Sequence, residues 1–266
     1  MDDPSTSPEP PPQPGICSNA RDDFFKRLCK EIPEEDRKTF DADPNFTMAP
    51  PGMSKNDPTA RLVVPQTNGY TCTTQRTISR IVIGLGDSIP RWNKDATVNW
   101  AAVKTGYPSD DHARYAAYTL AQAASDWNIR RVGVTFKWVS DIEQATFVLE
   151  YGGFKGGVLA EAFFPNDKPL SGLFVYKSAL QPSNLNYLRN ILQHELGHVL
   201  GLRHEFALKK ERTLKAVRFG TINPLSVMSY TFPPNIQPSD EKDTRDFYEF
   251  DGKKIDGLRM VVWKPN

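Results

Sequence analysis

The sequence predicts an α+β fold: a mixed twisted sheet of four to five strands with one long helix, a histidine-bearing helix and a C-terminal helix. Three observations carry that expectation. Short β-branched or alternating apolar runs recur between residues 78 and 176. Two longer stretches, near residues 110–127 and 185–199, repeat apolar residues at three- and four-residue steps. A last helical pattern follows the prolines at 233, 234 and 238.

Residues 1–14, rich in Pro, Ser and acidic residues, hold too little apolar surface to fold and read as a flexible tail. Ala20 to Glu31 would place Phe24, Phe25 and Leu28 on one face of a short helix. Pro33, Pro44, Pro50, Pro51, Pro58 and Pro65 then break up long regular elements. Residues 1–75 are therefore expected to be a partly disordered N-terminal extension that packs on, or tethers, a domain spanning 76–266.

Within that domain, Ile78–Leu85 is the first expected strand, β-branched and stopped by Gly84-Leu85-Gly86-Asp87, with a loop holding Trp92 and Trp100 after it. Ser109 is the expected N-cap of the long helix, with Asp110 and Asp111 in its first turn. Ala113, Ala116, Leu120, Ala123, Ala124 and Trp127 form the stripe it would bury. Val132, Val134, Phe136 and Trp138 alternate with Gly133, Thr135 and Lys137, which reads as a strand, and Ala145, Phe147 and Leu149 mark the next. After the glycine-rich turn Gly152–Gly157, Val158–Phe164 and Gly172–Tyr176 read as two more. Ser183 is the expected cap of the histidine-bearing helix, whose stripe of Leu185, Leu188, Leu192, Leu196 and Val199 would lie opposite the histidines. Residues 205–225 read as irregular. Ser239 is expected to cap a helix to about Phe250, with Thr244, Phe247 and Tyr248 inward, and Arg259–Trp263 is a short extended segment.

Composition narrows the function classes. At 266 residues the chain can bury a full core, with about 190 residues in one domain. Its longest apolar runs, such as Ile81–Ile83 and Leu173–Val175, are far short of the ~20 residues a membrane span needs. A net charge of +1 gives no reason to expect nucleic acid or an anionic membrane as partner. The N-terminus Met1-Asp2-Asp3-Pro4-Ser5 has no basic or apolar leader, so a cytoplasmic setting, or secretion of a trimmed form, is expected. Cys17, Cys29 and Cys72 are too few for a disulfide framework, although Cys17 and Cys29 could pair in an oxidising setting. Asn45-Phe46-Thr47 is a glycosylation sequon that decides nothing alone.

The chemistry is concentrated in His194-Glu195-Leu196-Gly197-His198-Val199-Leu200-Gly201-Leu202-Arg203-His204, where three of the chain's four histidines fall within eleven residues. Residues four apart share a helix face, so His194 and His198 can point two imidazoles at one ion. Gly201 is free to take the left-handed turn that ends the helix and swings His204 back as the third ligand. Zinc on three neutral imidazoles keeps an open position and lowers the pKa of bound water toward ~7, and Glu195 is free to take its proton. Helix-surface histidines without a metal are the competing reading. His112, in the first turn of the long helix, is expected to be solvated and without a role.

With Ser226-Val227-Met228-Ser229-Tyr230 downstream, the chain resembles the metzincin zinc endopeptidases, over roughly residues 76–250 and in element order. Glu205 after the third histidine and the Ser-Val-Met-Ser-Tyr turn are similar to the astacin group, and Ala160-Glu161-Ala162-Phe163-Phe164-Pro165 is similar to the matrixin pattern. The resemblance implies a zincin-like fold and a Zn2+ cofactor held by His194, His198 and His204, with Glu195 as general base. It implies Met228 as a hydrophobic floor, and Tyr230 as a resting ligand and oxyanion donor, against the alternative of a buried core tyrosine. Val158–Phe164 would be the substrate-binding edge strand, with Ala160, Ala162 and Phe163 against the peptide, or else an ordinary paired strand. The implied partners are protein or peptide substrates, with no nucleic acid, no membrane insertion and a monomeric state. No Pro-Arg-Cys-Gly-type segment is present, although one of the three cysteines could still block zinc, and the astacin cysteine framework is missing. A non-catalytic zinc-containing peptide-binding module and an enzyme kept latent by residues 1–75 are the competing expectations.

Overall fold

The computed structural model of the chain describes residues 48–52, 82–84, 87–204, 217–229 and 231–266. In order, its elements are β1 (Val82–Ile83), β2 (Ser88–Trp92), β3 (Ala96–Ala102), α1 (Asp110–Asn128), β4 (Val134–Trp138), β5 (Phe147–Tyr151), β6 (Ala160–Glu161), β7 (Ser171–Val175), α2 (Pro182–Leu185), α3 (Leu188–Val199), β8 (Val217–Arg218), α4 (Pro238–Glu249), β9 (Lys254–Ile255) and β10 (Leu258–Trp263). The mixed α+β architecture is the one the sequence predicts.

The main sheet runs β4-β3-β5-β7-β6. Its first four strands are parallel, and β6 lies antiparallel to β7 at one edge. Parallel strands need both faces covered, and the residues divide accordingly. Val98, Trp100, Val134, Phe136, Phe147, Leu149, Leu173 and Val175 enter the large core with the helices, while Ala101, Val103, Val139, Ala145, Val148 and Leu170 form a smaller cluster. The β3–β4 register sets Trp100 opposite Trp138, and their rings stack at 4.6 Å.

Helix α1 begins as expected: Ser109 Oγ accepts from the His112 N–H at 3.3 Å, and Asp110 and Asp111 sit in the first turn. Its alanine-rich stripe is buried and ends at Trp127, whose Nε1 donates to Gln193 O at 3.0 Å. Each such large apolar side chain withdrawn from water contributes about 1.5–3 kcal/mol. Arg189 of α3 forks onto Asp126 of α1 at 2.6 and 2.8 Å. Packing and polar contacts therefore hold α3 against α1.

Several expectations are corrected. The segment expected to be a loop with Trp92 and Trp100 is two strands: β2 pairs in parallel with β10, and β3 is central to the main sheet. Asn93, Lys94 and Asp95 form the tight corner between them, with Asp95 at φ 62°. Of the strand expected at Ile78–Leu85, the described part is β1, which pairs with β8 outside the main sheet. Val158–Phe164 is a strand only at Ala160–Glu161. Ser183 does not cap the histidine helix; it lies in α2, and α3 starts from Tyr187 after a break at Asn186. The cap of α4 is Gln237 rather than Ser239, because the Asp240 carboxylate reaches back to the Gln237 N–H at 2.8 Å. The short helix expected at 20–31, Cys17, Cys29, Cys72, the sequon at Asn45 and residues 205–216 lie outside the described residues.

One half-buried group on β5 makes stability depend on pH. Burial pushes the Glu150 carboxyl up to about 7 from 4.5. The folded protein thus holds a proton there that the unfolded chain releases above about 4.5, so this contribution is complete at low pH and is lost as pH rises through about 7. Glu150→Gln is expected to raise the melting temperature near pH 8 and to change it little near pH 4. Thermal unfolding of both proteins across that range measures it, and a shift of equal size at both ends would contradict the assignment.

Candidate metal centre

The end of α3 is built to bring His204 back toward the histidines of the helix. Gly201 takes φ +92°. Its N–H donates to His198 O at 2.8 Å, and the Leu202 N–H donates to Gly197 O at 2.9 Å. These two bonds close the helix in a Schellman turn. A Cβ at 201 would lie 2.7 Å from Pro90 O, so space as well as conformation requires glycine.

Side chains from two other segments, and Arg203 of this one, secure this end. Trp92 Nε1 of β2 donates to Val199 O at 2.8 Å, and Tyr248 Oη of α4 donates to Leu200 O at 2.9 Å, satisfying carbonyls that the helix leaves open. The buried Arg203 guanidinium donates to Gly84 O at 2.6 Å. Burial lowers its pKa to about 10, which leaves it charged at neutral pH.

Three imidazoles meet beyond this turn. His204 Nε2 lies 3.0 Å from His194 Nε2 and 3.1 Å from His198 Nε2. One ligand atom from each ring falls within 4.8 Å of the others, and all three side chains are fully buried. His194 Nδ1 lies 2.7 Å from Val227 O, and His198 Nδ1 lies 2.8 Å from Leu202 O. A carbonyl only accepts, so these two rings carry their protons on Nδ1 and turn Nε2 lone pairs toward the cluster.

Burial also decides the charge state. It lowers His194 to about 4. It carries His198 and His204 well below the usual histidine range, with the neighbouring imidazoles and Arg203 pushing the same way. At neutral pH all three are uncharged, the form that binds a metal ion. Around a tetrahedral zinc with 2.0–2.1 Å bonds, ligand nitrogens lie about 3.3 Å apart. The observed spacings are close to that, so the three side chains fit zinc in donor type, protonation and position.

Glu195, next along α3, is fully buried. Met228 is also fully buried, and a Cβ at Gly197 would overlap its Sδ, so the thioether lies on the helix turn between His194 and His198. Phe164 meets the His198 ring edge-on at 5.5 Å. Ala160 is buried in β6, whereas Ala162 and Phe163 are half-buried against the core. The Phe163 ring turns inward onto Phe147 at 5.6 Å and Trp92 at 6.5 Å, so of the two phenylalanines it is Phe164 that borders the histidines. Tyr230 lies outside the described residues. His112 is half-buried, with Nδ1 2.8 Å from Ser109 Oγ.

The expected stripe of Leu188, Leu192, Leu196 and Val199 is buried, but so are His194, Glu195 and His198, so α3 is enclosed on both faces. The enclosing residues Trp92, Ser226, Asp240 and Tyr248 are not among the site residues expected from sequence. Ser226 is adjacent to the methionine turn and Asp240 stands in a helix-capping position, which are the only signals the sequence offers for them.

A family model described as the dual-action HEIGH metallo-peptidase matches residues 93–211. The match runs from the corner after β2 through all three histidines. His194-Glu195-Leu196-Gly197-His198 is similar to the five letters H-E-I-G-H, with Leu196 at the third. No curated protein matches the chain.

Proposed function

We propose that the chain is a zinc-dependent endopeptidase of metzincin type, with His194, His198 and His204 as the zinc ligands and Glu195 as general base. The observation that carries this reading is the convergence of three buried, neutral imidazoles around the end of the helix that also buries Glu195. The similarity to a metallo-peptidase family over the same residues supports it. Zinc held there supplies Lewis acidity toward a carbonyl oxygen and toward water.

Glu195 takes a proton from the attacking water and delivers it to the leaving amine as the peptide bond breaks. A buried carboxylate suits both steps, because a low-dielectric site strengthens its interaction with charge that develops during the reaction. Met228 acts as a packing floor under the histidines. Tyr230 is assigned as a further ligand at rest and as an oxyanion donor during turnover. Protein or peptide substrates add in extended form at β6, the edge strand of the main sheet among the described residues, where main-chain hydrogen bonds bind any sequence, with Ala160, Ala162 and Phe163 along that segment. The catalytic unit is residues 76–266, acting as a monomer, with residues 1–75 as its extension.

The test is cleavage of a denatured protein by the purified full chain. Cleavage is expected to stop when a chelator strips the metal and to return when zinc is added back. Cleavage that persists in chelator would overturn the metal's role, and a zinc-loaded chain that binds peptides without cutting them would replace the enzyme with a binding module.

A further inference from the structure

The turn that carries Met228 is also wired to His194 through hydrogen bonds. Ser226 Oγ donates to Asp240 Oδ1 at 2.6 Å. The Met228 N–H donates to the same Ser226 Oγ at 3.1 Å. That N–H shares its peptide unit with the Val227 carbonyl, which accepts from His194 Nδ1 at 2.7 Å. Asp240, Ser226, Val227, Met228 and His194 are all buried. The other Asp240 oxygen accepts from the Val227 and Gln237 N–H groups, each at 2.8 Å, so the carboxylate is held from both sides.

We propose that Asp240 is a positioning residue for His194, acting through Ser226 and the Val227–Met228 peptide as a carboxylate relay to the zinc ligand. Every link polarises in the same direction. A carboxylate oxygen makes the Ser226 hydroxyl a better acceptor, the hydroxyl draws on the Met228 N–H, and amide resonance then places more negative charge on the Val227 oxygen. His194 Nδ1–H therefore meets a stronger acceptor than an isolated carbonyl, which fixes the ring and makes its Nε2 a better donor to a metal. Asp240 is the third residue of α4, where the positive end of the helix dipole favours an anion. The sequence separates Asp240 from His194 by a stretch with no regular spacing, and the relay exists only because α4 docks on the methionine turn.

The inference rests on the reading that His194 holds zinc, and the experiment separates the two. Zinc affinity is measured by competition with a chromogenic chelator, and the proton shifts of His194 and His198 Nδ1–H by NMR on the full chain. Ser226→Ala cuts the relay while leaving Asp240 its two backbone donors. It is expected to weaken zinc about tenfold, the usual scale for losing an outer partner of a ligand, and to move the His194 resonance upfield while the His198 resonance stays in place. Ser226→Thr, which keeps the hydroxyl, is expected to restore both. Equal movement of the two resonances would mean a loosened turn rather than a relay, and an unmoved His194 resonance with parent affinity would also overturn the proposal. If Ser226→Ala does not fold, Asp240→Asn decides by the same two readouts, since it removes the charge at constant size. His194→Ala tests the underlying reading: parent zinc affinity in that variant would remove the ligand assignment itself, whereas a relay failure leaves that assignment standing.

Discussion

Glu195→Ala is expected to keep zinc at the parent stoichiometry while peptide cleavage falls by about 10²–10⁴-fold, the range general acid–base catalysis supplies. The three converging nitrogens belong to His194, His198 and His204, so removing the carboxylate leaves the whole imidazole set in place. Glu195 is fully buried, so truncation to alanine also opens a cavity in the middle of α3. Glu195→Gln keeps the volume and removes only the base, and it is expected to lose the same activity with a smaller change in melting temperature. Zinc content by mass spectrometry and turnover of a fluorogenic peptide measure the two effects together. Cleavage within about threefold of the parent in both variants, far inside the loss expected for a base, would rule out Glu195 in that role.

Gly201→Ala is expected to damage both the fold and the metal centre. Holding alanine in the left-handed region costs about 1–3 kcal/mol by itself. The added methyl would also lie 2.7 Å from Pro90 O, a backbone atom of β2 that the parallel pairing with β10 keeps from moving aside. The Schellman turn must therefore open, and His204 leaves the cluster with it. Expected results are at least about 2 kcal/mol lost in denaturant unfolding and zinc weakened by about 30-fold or more, since about 1.4 kcal/mol corresponds to each factor of ten. Gly153, at φ +73° with nothing within 4 Å of the position a methyl would take, is the control. Gly153→Ala should show only the backbone cost of about 1–2 kcal/mol and should leave zinc affinity unchanged. Parent-like zinc affinity in Gly201→Ala would mean that His204 reaches the site without this turn.

The legible parts share one property: their information is local. Ser109 before two aspartates and an alanine stripe predicts α1 and its cap, because capping and 3.6-residue periodicity act over a few residues. Val134 and Phe136 alternate with Thr135 and Lys137, as a strand facing the core on one side must. The corrected parts depend on partners far along the chain. β2 is paired by β10 from the opposite end of the chain, and its Trp92 is buried by donating to Val199 O, contacts that no short window contains. The two helix starts differ from expectation for a similar reason. Ser183 and Ser239 are both good caps by residue type, yet the break at Asn186 and the reach of Asp240 back to Gln237 determine where the helices begin.

For the metal centre the division is equally physical. The identity of the donors, their spacing and the left-handed turn at Gly201 are properties of helix geometry and side-chain chemistry, so the eleven residues from His194 to His204 determined them alone, while the approach of Pro90 O that also excludes a side chain there is tertiary. Tertiary structure decided the rest: that the histidines are buried and therefore uncharged, that His194 and His198 hold their protons on Nδ1, and that Phe164 rather than Phe163 borders them. Those outcomes arise from desolvation, from the Val227 and Leu202 carbonyls and from the Phe164 ring that follows β6. They become defined only when distant segments pack together.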